Sequence, residues 1–115
     1  MTPTAPDSSQ IIKGLCELAL LSLLKDRPHY GLEMLHILRT EAGIDLADGT
    51  IYPLLHRLAK AKLVQAEWRL DQDGARPRKY YALTSSGQRE LAVQVEQWRK
   101  VSVALSAFLS RKHKS

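Results

Sequence analysis

Mainly α, with one small β-hairpin and one long terminal helix, is the fold class that three observations predict. Residues 48–62 read as a short amphipathic helix, with Ile51, Leu54, Leu55 and Leu58 on one face and Tyr52, His56, Arg57 and Lys60 on the other. Residues 64–83 read as two strand-like runs joined by the basic turn Asp71-Gln72-Asp73-Gly74-Ala75-Arg76-Pro77-Arg78-Lys79. Apolar residues then recur at three- and four-residue spacing up to Leu109, the mark of a long amphipathic helix. A helix followed by a hairpin with a cationic tip is the sequence image of a winged helix-turn-helix. In that arrangement the helix enters a major groove and the tip holds phosphate beside it.

The elements follow in order. Residues 1–9, with Pro3 and Pro6, read as a flexible tail. A first helix is expected from about Gln10 to Lys25, apolar on most sides through Leu15, Leu18, Ala19, Leu21, Leu23 and Leu24, and therefore central. Asp26-Arg27-Pro28 breaks it. A second helix is expected from near Tyr30 to about Glu41, with Gly43 suited to the left-handed residue that ends it. Asp48 is the expected cap of the third helix, and Pro53 in its second turn is a mild defect. Val64, Ala66, Trp68 and Leu70 alternate with polar residues, which predicts a half-buried strand, and Lys79–Leu83 returns. Thr84 or Ser85 caps the last helix. The DNA-binding domain is thus expected over 10–83, a dimerisation helix over 84–110 and a basic tail over 111–115.

Bulk properties narrow the classes. A chain of 115 residues suits one modest core, and 44% hydrophobic with 25% charged residues is an ordinary globular balance. The net charge of +5 favours polyanionic partners only slightly by itself; more telling is the concentration of cations in residues 57–80. The single cysteine, Cys16, excludes an intrachain disulfide and reads as a small core residue rather than a redox sensor. No signal peptide and no membrane-spanning stretch is apparent, so a cytoplasmic setting is expected. The four histidines are dispersed, with no HxxxH or CxxC spacing, so neither a metal nor a cofactor is expected. No glycine-rich phosphate loop and no nucleophile–base set points to an enzyme.

Two constellations remain. Thr50, Tyr52, His56, Arg57 and Lys60 share or border one helical surface, and the N–H groups of Gly49 and Thr50 are positioned to take a phosphate. Arg76, Arg78 and Lys79 supply the wing, and Tyr30 opens the helix that would cross the DNA backbone. The second constellation is the stripe Leu91, Val95, Trp98, Val101, Leu105, Phe108 and Leu109 on the last helix, which nothing later in the chain can cover. A second copy is its simplest partner, giving a homodimer on double-stranded DNA. Trp98, in mid-stripe, reads as an interface anchor or as a platform for a flat small-molecule effector. The alternative is a winged-helix protein-interaction module without DNA binding.

Three motifs carry a family resemblance: His29-Tyr30-Gly31-Leu32-Glu33, Gly49-Thr50-Ile51-Tyr52-Pro53-Leu54-Leu55-His56-Arg57-Leu58 and Arg76-Pro77-Arg78-Lys79-Tyr80-Tyr81-Ala82-Leu83-Thr84. From about Gly14 to Leu109 the chain resembles the PadR family of bacterial transcriptional regulators, in its short form with one helix after the wing. The resemblance implies a homodimeric repressor on inverted repeats, released by a small aromatic or cationic compound. It implies DNA contacts from Tyr30, Thr50, Tyr52 and the wing cations, and a drug-lining role for Trp98. Two departures stand out: Asp48 where a serine-like cap is common, and Ala61-Lys62 in place of a glycine-containing turn.

Overall fold

A computed structural model of the chain describes residues 5–70, 74 and 76–111, and side chains among them from residue 14 onward. The expected tail at 1–4, most of the wing turn (71–73 and 75) and the basic tail at 112–115 lie outside the described residues. Helix α1 spans Ala5–Asp26, five residues earlier than the expected start at Gln10. Pro6 does not oppose this, because the first turn of a helix has no N–H partner to lose. The first helix therefore takes in about half of the segment expected to be a tail.

A two-residue strand, β1 (His29–Tyr30), comes next, where the sequence suggested the start of a helix. Helix α2 runs Gly31–Ala42 and ends on Gly43, which is left-handed at φ 67° and closes back onto the Leu38 carbonyl. Helix α3 spans Asp48–Lys60 and carries Pro53 inside it. The expected Asp48 cap does not form: Ala47 holds the cap position with no side-chain bond, and Asp48 is the first helical residue. There its charge faces the positive end of the helix dipole.

Strands β2 (Val64–Leu70) and β3 (Pro77–Leu83) form the hairpin, and helix α4 (Ser85–Leu109) follows. The sheet is three-stranded and antiparallel in the order β1-β3-β2. His29 faces Tyr81, and Tyr30 faces Tyr80. On the other edge of β3, Ala66 faces Tyr81 and Trp68 faces Lys79.

One core holds α1, α2, α3 and the base of the sheet together, with Cys16, Leu20, Leu21, Met34, Ile51 and Leu55 fully enclosed. Burial pushes the Cys16 thiol up, away from the thiolate a redox sensor needs. The inner face of α3 is the expected Ile51, Leu54, Leu55 and Leu58. Strand β2 differs from expectation. Only Val64 is buried; Ala66, Trp68 and Leu70 are exposed, because the hairpin runs out beyond the core.

The exit from α3 shows how the unusual Ala61-Lys62 turn is accommodated. Lys62 takes the left-handed conformation, φ 64°, that a glycine would adopt with less strain. The Thr84 hydroxyl donates to the Lys62 carbonyl at 2.7 Å and accepts from the Gly87 N–H at 2.9 Å, which caps α4. Gly87 is buried, and a Cβ built there would fall 2.0 Å from the Leu63 carbonyl oxygen. Backbone cannot move aside as a side-chain tip can. Gly87→Ala is expected to lower stability by about 3 kcal/mol, the upper end for an overpacked core, read from chemical denaturation of the purified protein.

Candidate nucleic-acid interface

Helix α3 presents an outer face between two neighbours. On one side stands the hairpin, on the other α1. Tyr52 and Ala59 mark the hairpin edge, where a cleft of about 490 Å³ opens between α3, the start of α2 and the wing. It is lined by Tyr30, Tyr52 and Tyr81 and by His56, Arg76, Arg78 and Lys79. Among the described residues no carboxylate lines it.

Tyr52 is 43% exposed, and its position depends on Gly31. A Cβ at Gly31 would meet the Tyr52 ring at 2.7 Å. The hydroxyl end of the ring thus sits over the first turn of α2, with Tyr81 lining the same cleft. Burial, together with the charge of Tyr52, pushes the Tyr81 hydroxyl up. The sequence reading did not single out Gly31 as the seat of Tyr52; the spacing of one helix holds no signal of what another helix must leave empty.

The wing cations fall into two kinds. The Arg78 guanidinium lies 4.4 Å from the centre of the Tyr30 ring, and Tyr30 meets Tyr80 edge-on at 5.4 Å. Arg78 is therefore packed as well as charged, rather than standing free on a stalk. Arg76 and Lys79 are exposed. On the same face of the sheet as Arg78, Arg69 pairs with Glu67 at 2.6 Å.

Beneath Tyr30, Glu33 receives Arg27 at 2.7 Å and lies 3.1 Å from the Nδ1 of buried His29. The two atoms of that second approach are buried against each other and have no other partner among the described residues. Burial acts to push the Glu33 carboxyl up, but the Arg27 hydrogen bond and the charges of His29 and Arg27 outweigh it and hold the group below the ordinary carboxylate range.

At the α1 edge of α3, Arg57 is not a free cation. Its Nε donates to Glu17 of α1 at 2.6 Å, and a terminal nitrogen also pairs with Glu17. It borders a shallow depression with Gly49, Thr50 and Pro53. The Thr50 N–H is already bonded to the Ala47 carbonyl at 2.9 Å, which removes it as a phosphate donor. Lys60 and His56 remain exposed between the two edges.

The stripe on α4 divides in two. Leu91, expected at a subunit interface, is 5% exposed and belongs to the protomer's own core, because α4 crosses α1 at that level. Val95, Trp98, Val101, Leu105, Phe108 and Leu109 are uncovered. Trp98 borders a shallow groove with Leu15 and Leu18 of α1. Among the described residues no cluster of three metal-ligating side chains occurs, and no helix is long and apolar enough to cross a membrane.

Three helices, a three-stranded sheet with its wing and a trailing helix define a winged helix-turn-helix protein. Residues 20–93 match the model of the PadR-like family of transcriptional regulators, and the chain belongs to that family. It is similar to a PadR-like transcriptional regulator from Bacillus cereus, with 30% identity over 90% of this chain and 99% of that one, and a TM-score of 0.81. A Streptococcus transcriptional regulator is 35% identical, covering 88% of this chain and 98% of that one at a TM-score of 0.79. An uncharacterised protein of Lysinibacillus sphaericus is 30% identical over 88% of this chain and 94% of its own length.

Proposed function

We propose that the protein is a homodimeric, DNA-binding repressor that leaves an inverted-repeat operator when a small aromatic or cationic effector binds. The cleft beside α3, lined by Arg76, Arg78 and Lys79 and by no carboxylate among the described residues, carries the DNA reading. On that reading Tyr52 and His56, from the cleft, and Thr50, from the other edge of α3, meet base edges. Tyr30, Gly49, Lys60, Arg76, Arg78 and Lys79 take phosphates, with Arg57 at the flank once it exchanges Glu17 for DNA. The uncovered stripe on α4, Val95 to Leu109, supports the second copy. Trp98, half exposed in that stripe, is the platform for a flat effector between the two copies. The protein acts on DNA in the cytoplasm and is not an enzyme.

Selection of duplex fragments by the purified protein, followed by sequencing, tests this reading. An enriched inverted repeat with half-sites about one helical turn apart supports it, since a two-fold dimer presents two α3 helices. Planar cationic dyes are expected to release that duplex, and Trp98→Ala to abolish the release. Indifference to every duplex at low salt would leave the interaction-module alternative.

A further inference from the structure

We propose that Trp68 is a DNA-contacting residue, laying its indole against the deoxyribose of the strand seated between α3 and the wing. This rests on the DNA reading above and goes beyond it, since the sequence pattern marked Trp68 for the protein's own core. The indole is 68% exposed, on the half of β2 that leaves the core, and no element among the described residues covers it. Its inner edge lines the cleft with Tyr52 and His56. Register puts it directly opposite Lys79 on the same face of the sheet, as an adjacent cross-strand pair.

A partner for that pair must therefore offer an anionic group and an apolar surface within one side-chain width. The sugar–phosphate chain does so at every nucleotide. In a duplex the base faces are covered by stacking, so the apolar surface next to a phosphate is the deoxyribose. A cleft lined by Arg76, Arg78 and Lys79, and by no carboxylate among the described residues, favours that occupant over a second protein with its mixed surface charge. Lys79 holds the phosphate, and Trp68 excludes water from the adjoining sugar.

The test compares the wild type with Trp68→Phe and Trp68→Ala by anisotropy of a labelled duplex over a range of salt, and by tryptophan emission. Thermal unfolding should be unchanged, because residue 68 is exposed. Trp68→Ala is expected to weaken binding about tenfold at each salt concentration, in the range a truncated aromatic contact loses, with Phe retaining most of the affinity. The salt slope should stay constant, since no phosphate neutralisation is removed. Duplex should change the emission of the wild type and not that of Trp68→Phe, with Trp98 common to both. Full affinity in Trp68→Ala, or an emission change that persists in Trp68→Phe, overturns the proposal and leaves the DNA reading intact. So does an effect of residue 68 on sedimentation alone, which assigns the surface to a protein contact. Absence of duplex binding by the wild type overturns both.

Discussion

Replacing Arg76 and Lys79 together by alanine is expected to lower affinity for every DNA duplex by about 10- to 100-fold near 0.1 M salt, and to reduce the salt slope by about 2. These two cations are chosen because both are exposed, and the one ring contact between them, Lys79 Nζ at 5.8 Å from the centre of the Tyr81 ring, is longer than that of Arg78. Arg78 is a poorer probe. Removing it also strips the Tyr30 ring of its stacked partner, so lost packing would be confused with lost charge. A phosphate clamp is blind to sequence, so the loss should be the same on operator and on random DNA. Thr50→Ala should do the opposite, flattening the preference between sequences while leaving the slope almost as it was. Fluorescence anisotropy at four or five salt concentrations separates the two patterns. An unchanged slope in the double variant would show that the wing lies away from the phosphates.

The second large effect concerns α4. Val101→Glu with Leu105→Glu should convert the protein into a folded monomer that binds operator far more weakly. Both side chains are more than half exposed in the protomer, so the substitutions leave its core alone. Across a two-fold contact each carboxylate is buried twice without a partner, at about 3–5 kcal/mol per uncompensated charge. A single such term shifts a dissociation constant by more than about 100-fold. Sedimentation velocity at micromolar protein reads the mass, and circular dichroism confirms that the fold persists. A dimer that survives both charges would place the interface elsewhere.

What could be read from the residues alone follows a physical line. Helix α3 was legible because one face meets a continuous core, so the apolar residues Ile51, Leu54, Leu55 and Leu58 repeat at the helical period. The cap of α4 was legible to within one residue, Thr84 or Ser85, because capping is a local bond, whereas Asp48 entered its helix instead of capping it. Strand β1 was not, since two residues carry no period and His29 and Tyr30 are strand only by pairing with Tyr81 and Tyr80. The alternation in β2 was real, but it gave a face without saying what covers it. Val64 meets the core, whereas Trp68 and Leu70 do not. Leu91 and Val95 look alike on a helical wheel, and only the crossing of α1 separates an inner residue from an outer one. Arg57 reads as a free cation until Glu17, forty positions earlier, is seen beside it.

The bare backbone at Gly31 has a consequence for how tightly this surface can grip. A long side chain reaching toward a ligand normally forfeits rotational freedom on contact, at about 0.5–1.5 kcal/mol each. The Tyr52 phenol is held on one side by α2, where a Cβ at Gly31 would fall 2.7 Å from it, so part of that freedom is already restricted in the folded chain. That part of the entropic penalty is met during folding instead of at the moment of association. Its direction is therefore set in part by how α3 packs on α2.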